Sequence, residues 1–439
     1  MNYTMNEVVQ FIEENDVKFI RLAFCDIFGT QKNISIMPGE LARAFDTGIC
    51  FDASAFQGFA NVNDSDLLLF PDPTTLSVLP WRPSQGRVVR FYCDIKYPDG
   101  KPFEGDGRHI LGQAVARARL LELSCTFGTE CEFYLFERDE NGAPTAIPHD
   151  HAGYFDIAPL DKGENVRRQI CLTLEEMGIQ PESSHHENGP GQNEIDFKYS
   201  HALEAADNFI TFKAAVKTMA AANGLFASFL PKPLPGKSGS GLHINLSLFQ
   251  NGRNMFETTP VRHNQTCESF IAGILQRAAE LTVFLNPLTN SYTRFGEFEA
   301  PKYITWSHQN RSPLIRIPAA TGELSRMELR SPDSALNPYL AFTLLIHAGL
   351  DGVEQGLALP APCNENLFAA PRDVLRQYAS LPETLQEAIA LARGSEFVSR
   401  VLPARIVESY LSAKQAEWDR FSGADDKLAA ETGMYFERY

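Results

Sequence analysis

Between His185 and Phe197 the chain reads HHENGPGQNEIDF, two histidines, two glutamates and an aspartate around a Gly-Pro-Gly turn. Only 21% of the chain is charged, so such a density of ligand-type side chains marks either a metal-binding segment or a polar loop in water. Three further runs resemble its NEIDF end, where Glu194 and Asp196 alternate with Ile195 and Phe197. In TECEFYLF, Glu130, Glu132 and Tyr134 alternate with Cys131, Phe133 and Leu135. In GLHINLSL, His243, Asn245 and Ser247 alternate with leucines and Ile244, and in SRMELR, Arg326, Glu328 and Arg330 alternate with Met327 and Leu329. Strand side chains point alternately to opposite faces, so each run has one polar and one apolar face. An ordinary sheet with one wet face has the same alternation. Such a face usually carries Lys, Thr and Ser, however, whereas this one carries carboxylates and a histidine balanced only by arginines. Strands lie ~4.8 Å apart, so the carboxylates repel unless cations sit between them. Oxygen donors with one imidazole and no thiolate suit Mg²⁺ or Mn²⁺ better than zinc. The pattern points to a metal-loaded concave sheet backed by helices.

Two more familiar motifs are excluded. HHENG lacks the second histidine of HExxH, and in PKPLPGKSGSG the position that a P-loop requires to be glycine is Pro231. A basic cluster follows instead: Arg294, Arg311, Arg316, Arg326 and Arg330, interleaved with Glu299 and Glu328. Guanidiniums hold phosphates and carboxylates bidentately. Metals together with arginines are the equipment of phosphoryl transfer, where neutralising charge supplies most of the catalysis.

Positioning these groups requires a sheet and its supporting helices. Thr4 and Glu7 have capping-box spacing, with Val8, Val9, Phe11 and Ile12 as an apolar helix face. Strand, turn (FGTQ) and strand follow from Val17 to Ile36, and GRVVRFYCDI adds another strand before the turn YPDGKP. A small domain is therefore expected over 1–100, and a larger one over 101–439. Helical periods are expected around 109–123, at 163–177, 202–223, 266–285 and 335–352, and at least twice beyond 372. At 439 residues and 44% hydrophobic, the chain can bury a sizeable core, and its net charge of −16 disfavours nucleic acid and anionic membranes as partners. No apolar stretch approaches the ~20 residues of a membrane span. Eight scattered cysteines without a CxxC pair, and an acidic, polar N-terminus, predict free thiols in a cytoplasmic protein.

Seven segments in order resemble the glutamine synthetase family in its bacterial class I form. They are FDASAFQGF with NDSDLLLFPDPTT, TECEF, HHENGPGQNE, PKPLPGKSGSGLHINLSL, NSYTRFGEFEAP, NRSPLIRIP and MELRSPDSALNPYLAF. The resemblance implies an α+β fold, in which a β-grasp-like domain precedes an α/β catalytic domain with an open, funnel-shaped antiparallel sheet. It places Glu132, Glu187 and Glu194 at one metal and Glu130, His243 and Glu328 at a second, with two or three Mg²⁺ or Mn²⁺ ions per site. His185 and His186 are expected only to shape their segment. Glu182, Asn245, Ser247, Arg311, Arg316 and Arg326 fall at ATP-contacting positions, Arg311 also counting among the catalytic residues. Glu132, Ser238, Gly239, His243, Arg294, Glu299 and Arg330 fall at glutamate-binding positions.

The implied reaction joins ammonia to L-glutamate through γ-glutamyl phosphate, releasing ADP and phosphate. Asp52, supplied by a neighbouring subunit of a dodecamer of two hexameric rings, takes a proton from ammonium. Glu299, on a mobile lid, covers the intermediate. Relatives of this fold that ligate glutamate to polyamines, methylamine or ethanolamine form the alternative. The acceptor pocket distinguishes the two, and Ala55 stands where many synthetases have serine. Ser238, Asn245 and Glu323 also depart from common residues at their positions, and the spacing from Glu187 to Glu194 and the lid are each one residue short of the most familiar members. Phe368 occupies the position of the tyrosine that some members adenylylate, so that control is expected to be absent and regulation to fall to metabolites or partner proteins.

Overall fold

The computed structural model describes residues 4–439 apart from 60, 61, 63, 64, 83, 84 and 258–263. Asn63 and Asp64 of the NDSDLLLFPDPTT motif thus lie outside the described residues. Helix α1 (Met5–Glu14) opens with the expected capping box: Glu7 accepts from the Thr4 amide at 2.6 Å, and Thr4 Oγ1 accepts in return. Val8 and Ile12 are buried, but Val9 is exposed, so the apolar face is narrower than its spelling implied.

The small sheet contains β1 (Val17–Cys25), β2 (Gln31–Ile36), β3 (Ile49–Asp52), β4 (Asp66–Pro71), β5 (Ser77–Val78) and β6 (Arg87–Lys96). Its order is β2-β1-β6-β4-β3, with β5 also on β6, and β1 runs parallel to β6 while the other pairs are antiparallel. Short helix α2 (Leu41–Asp46) lies between β2 and β3.

The large sheet is built from β7 (Ser124–Arg138), β8 (Pro144–Pro148), β9 (Pro181–His186), β10 (Gln192–His201), β11 (Leu225–Ser228), β12 (Leu242–Gln250), β13 (Arg253–Asn254), β14 (Trp306–His308), β15 (Ile315–Ile317) and β16 (Met327–Leu329). Its main path is β14-β15-β16-β12-β7-β10-β9. The four alternating runs are therefore consecutive neighbours, β16-β12-β7-β10. The sheet is antiparallel as expected, except that β14 pairs parallel with β15 at one edge.

Helices α3 (Gly107–Leu120), α4 (Glu164–Glu176), α5 (Ala202–Ala222), α6 (Gln265–Leu285) and α7 (Pro338–Gln355) fall where the helical periods placed them, and five shorter or longer helices follow beyond residue 371. The apolar members of the alternating runs, among them Cys131, Phe133, Leu135, Ile195, Ile244 and Leu246, join these helices in one core. Tyr134 is a correction to the alternation. It is fully buried, and its hydroxyl donates to the Ser238 carbonyl at 2.6 Å, so it anchors a loop rather than joining the wet face.

Behind the sheet, α6 and α7 cross at backbone contact. A Cβ on Gly352 would come within 2.1 Å of the Ser269 carbonyl, and one on Gly273 within 2.2 Å of the Ala348 carbonyl. Both contacts are with backbone, which cannot rotate away. Gly352→Ala is expected to cost about 1–3 kcal/mol, read as a lower melting temperature, whereas Gly112→Ala, in a helix with open space around it, meets no clash.

Candidate active site

The register places the polar groups opposite one another. Glu194 on β10 pairs with Glu132 on β7, and Asp196 with Glu130. On the other side of β7, Glu130 pairs with His243 of β12, and Asn245 in turn lies opposite Glu328 of β16. The loop after β9 adds Glu187. Glu130, Glu132, Glu187, Glu194, Asp196 and His243 line one cavity of about 560 Å³, whose other walls include Ser238, Gly239, Arg294, Glu299, Arg311, Arg316, Arg326 and Arg330. An adjoining hollow of about 270 Å³ is lined by Glu182, Asn245, Ser247, Glu323 and Tyr199, and shares Glu130, Asp196 and Arg326 with the first.

One carboxylate group is already balanced. Glu130 accepts from His243 Nδ1 at 3.1 Å and from Asn245 Nδ2 at 2.9 Å, while Arg326 Nε donates to Asn245 Oδ1 at 2.8 Å. Burial pushes Glu130 up, but these hydrogen bonds and the nearby charges of His243 and Arg326 overcome it and hold it at about 2. Glu328 is almost fully buried and touches both Arg316 and Arg330. Single ligand atoms of Glu130, His243 and Glu328 lie within 4.8 Å of one another.

The other group lacks such balance. Burial and then the Glu132 charge push Glu187 up to about 7. Burial, followed by Asp196, Glu132 and Glu187, raises Glu194 well above the usual carboxylate range. Asp196 rises to about 6 through burial and Glu130. Acids crowded this closely gain from a shared cation, so the donor set fits one or more hard divalent ions. His185 belongs here too. Its ring lies 3.6 Å from Glu187 and 3.9 Å from Glu194, and it forms a second ligand-type cluster with Glu194 and Asp196. Sequence reasoning gave neither His185 nor Asp196 a part in the site, although Asp196 shares the period-two face with Glu194.

The surrounding loops are held by contacts that the sequence did not announce. Gln192 donates to Glu132 at 3.0 Å and to the Gly239 carbonyl at 3.0 Å, and accepts from the Gly189 amide at 2.8 Å. Gly239 must be glycine, because a Cβ would meet the Pro231 carbonyl at 2.5 Å and Arg294 Cγ at 2.6 Å. Arg294 is buried and donates to the Ser331 carbonyl at 3.1 Å. Behind the Glu187–Glu194 turn, the buried Asp150 accepts from the Gly191 amide at 2.9 Å, the Lys162 amide at 3.0 Å and His186 Nε2 at 2.8 Å. Asp161 and Asn193 are tied together by Arg167. His186 thus shapes its segment as expected.

The segment carrying Glu299 is strained. Phe298 and Glu299 have φ of 46° and 64°, a left-handed conformation that costs an L-residue about 1–2 kcal/mol each. Lys232 lies 4.6 Å from the Phe298 ring and 3.6 Å from Glu297, and Glu299 reaches to 3.8 Å from Arg330. Asp52 is placed differently. It is exposed at the end of β3, where its Oδ1 accepts from the Ser54 amide at 2.9 Å, and it does not line the cavity. Ala55 is exposed in the same turn, and Phe368 is exposed as well. All eight cysteines are free thiols, and no described helix is long and apolar enough to cross a membrane.

Two outcomes follow from this geometry. Protons on Glu187 and its neighbours compete with a cation, so apparent Mg²⁺ affinity should climb as pH rises through about 7, with protons released on binding. Calorimetry in buffers of different ionisation enthalpy measures that release, and an affinity constant from about pH 5.5 to about pH 8 would contradict it. Asp150→Asn removes an acceptor from the back of the turn. It should weaken metal activation about 10–100-fold, as a metal titration of activity would show, and lower the melting temperature, because the buried carboxylate's hydrogen bonds stabilise the fold.

Comparison with known proteins gives the family. The family model described as "Glutamine synthetase, beta-Grasp domain" matches residues 16–98, and that described as "Glutamine synthetase, catalytic domain" matches residues 104–432. A glutamine synthetase of Clostridium saccharobutylicum is 46% identical over 424 residues, 95% of this chain and 96% of that one. One of Methanosarcina mazei is 46% identical over 423 residues, 95% of each. Among solved structures, the "GmaS/ADP complex" superposes with a TM-score of 0.87 at 29% identity, covering 98% of this chain and all of that one. The Plasmodium falciparum glutamine synthetase, at 22% identity and a TM-score of 0.85 over 97% of this chain and 98% of that one, shares the fold. With the two family models matching residues 16–98 and 104–432, and relatives 46% identical over 95% of its length, this chain belongs to the glutamine synthetase family.

Proposed function

We propose that the protein makes L-glutamine from L-glutamate, ammonia and ATP, through γ-glutamyl phosphate. The observation that carries this reading is the single cavity in which two carboxylate groups meet five arginines and a lid carboxylate. Glu132, Glu187 and Glu194 would hold one divalent ion, and Glu130, His243 and Glu328 another, with Mg²⁺ or Mn²⁺ as the metal. Bound there, the ions would offset the negative charge of the ATP phosphates.

The chain's own residues do the rest. Arg294 and Arg330, with Ser238 and Gly239, grip glutamate and fix its side-chain carboxylate beside the phosphate. Arg311, Arg316 and Arg326 neutralise charge on the transferring phosphoryl group, which is where guanidiniums contribute most to such reactions. Glu182, Asn245 and Ser247 line the adjoining hollow, which suits the rest of the nucleotide. Glu299 closes over the acyl phosphate and excludes the water that would hydrolyse it. Ammonium gives its proton to Asp52, and the amine attacks the activated carbonyl with phosphate leaving.

Asp52 lies on the small sheet and outside its own chain's cavity, so this reading requires a second copy to complete the site. A homo-oligomer, with the family's dodecamer of two hexameric rings as its form, meets that need. The same reading divides the chain at about residue 100 into a small domain and a catalytic one, and places the enzyme in the cytoplasm. Ala55, beside Asp52, is the feature that supports a second reading, ligation of glutamate to a larger amine.

Phosphate release with ATP, Mg²⁺ and glutamate, compared across ammonium, methylamine, ethanolamine and putrescine, separates the two. Ammonium should exceed putrescine in kcat/KM by at least ~100-fold, or about 2.7 kcal/mol of discrimination in the transition state. A preference for putrescine or ethanolamine would establish the amine-ligase reading instead. Asp52→Ala should sharply lower ammonium-dependent turnover with ATP and glutamate binding retained, and Glu132→Gln should abolish it at subsaturating Mg²⁺. Near-normal activity in either variant would remove that residue from the mechanism.

A further inference from the structure

A second cavity, of about 270 Å³, lies apart from the active site between the small sheet and α5. Its charged walls are all of one sign. Arg21 of β1 and Arg90 of β6 are direct cross-strand partners, and Arg82 joins them from the segment after β5. Like charges directly opposite on adjacent strands are destabilising, and burial adds to the cost. Among the described residues none of the three guanidiniums makes an ion pair, in a chain whose net charge is −16. Asp207, whose carboxyl feels the Arg90 charge, is committed to Arg108 at 3.0 Å and to the Tyr339 hydroxyl at 2.7 Å.

Arg90 is the most telling of the three. Its side chain is 7% exposed, lies over the Tyr92 ring at 4.0 Å, and donates from Nη1 to Thr211 of α5 at 2.6 Å. Its Nε is buried with no hydrogen-bond partner, as is the side-chain oxygen of Gln31 on another wall. Rotation of the Gln31 amide would present two donors to the same space. Trp81 adds an apolar surface, and Arg82 stands exposed beside it. Three guanidiniums with unspent donors, converging on a cavity of this size, form a receptor for a small, multiply charged anion.

We propose that this cavity is a second ligand site, which takes a small dianion between Arg21, Arg82 and Arg90. Carboxylate and phosphate oxygens meet the same donors, so the shared chemistry is a compact dianion, either a four- or five-carbon dicarboxylate or a phosphate group. Occupancy joins the small sheet to α5, the helix that directly follows the strand carrying Glu194 and Asp196. It relieves the repulsion among the three arginines, so the bound state is the more stable one.

Succinate, glutarate and inorganic phosphate are titrated separately into the full-length protein, followed by calorimetry and melting temperature, with NaCl at matched ionic strength as the control. At least one dianion should bind saturably and raise the melting temperature above that control. Response to the dicarboxylates alone, or to phosphate alone, identifies the source. Arg82→Gln and Arg21→Gln should each weaken that binding at least ~10-fold without loss of basal turnover, because two guanidiniums cannot replace three. Arg330→Gln, in the active site, should leave it unchanged. The proposal falls if no dianion exceeds the NaCl control, if both cavity variants bind like the wild type, or if Arg330→Gln abolishes the effect.

Discussion

Glu132 faces Glu194, and Glu130 faces Asp196, across a single pair of antiparallel strands. At ~4.8 Å between strands, two ionised carboxylates in a partly dry cavity repel by an amount that no ordinary sheet would tolerate. Much of the structure serves to manage that repulsion. On one flank His243, Asn245 and Arg326 neutralise Glu130, and Arg316 and Arg330 enclose Glu328. On the other flank burial and mutual repulsion raise Glu187, Glu194 and Asp196, so that a cation would have to compete with protons there. The site is therefore divided into a part stabilised by the protein's own cations and a part that depends on added ones. This asymmetry arises from which strands neighbour β7. On one side β12 and then β16 bring histidine and arginine, whereas on the other β10 brings Glu194 and Asp196 with the neutral amide of Gln192.

Holding such groups in place requires rigid support from behind, and the fold supplies it at two depths. Directly beneath the acidic turn, Asp150 gathers three backbone amides and His186, so that the loop between Glu187 and Glu194 is fixed by buried hydrogen bonds rather than by its own sequence. Deeper, α6 and α7 approach so closely that glycine is required at both Gly273 and Gly352. A packed layer of this kind transmits displacement rather than absorbing it, which suits a site whose chemistry depends on placement within a fraction of an ångström. The segment around Glu299 is the opposite case. Its two left-handed residues, Phe298 and Glu299, are exposed, and strain of this sort clusters at functional sites.

The period-two alternation in four short runs was enough to predict a sheet with one acidic face, the hard-metal chemistry of that face, and the helices behind it. The ordered motifs then identified the family and assigned roles to Glu130, Glu132, Glu187, Glu194, His243 and Glu328. Five of them line the one cavity, and Glu328 lies within ligand distance of Glu130 and His243; those on strands converge because side-chain direction in a strand is a local property, fixed by the residue's own backbone. Tyr134 misled for the same reason. Its position in the alternation is polar, but only its neighbours decide whether a hydroxyl meets water or a buried carbonyl such as that of Ser238.

What remained hidden depends on strand order, register and loops that meet from distant parts of the chain. Sequence alone could not show that Asp196 lies opposite Glu130 or that His185 joins Glu194. Nor could it show that Asp150, 41 residues before Gly191, holds that residue's amide. Charge state was equally undetermined, since Glu130 falls to about 2 and Glu187 rises to about 7 although both are glutamates in one cavity. Residue type determines which chemistry is available. Burial and the sign of the nearest charge, which exist only once the chain has folded, decide which groups are ready to perform it.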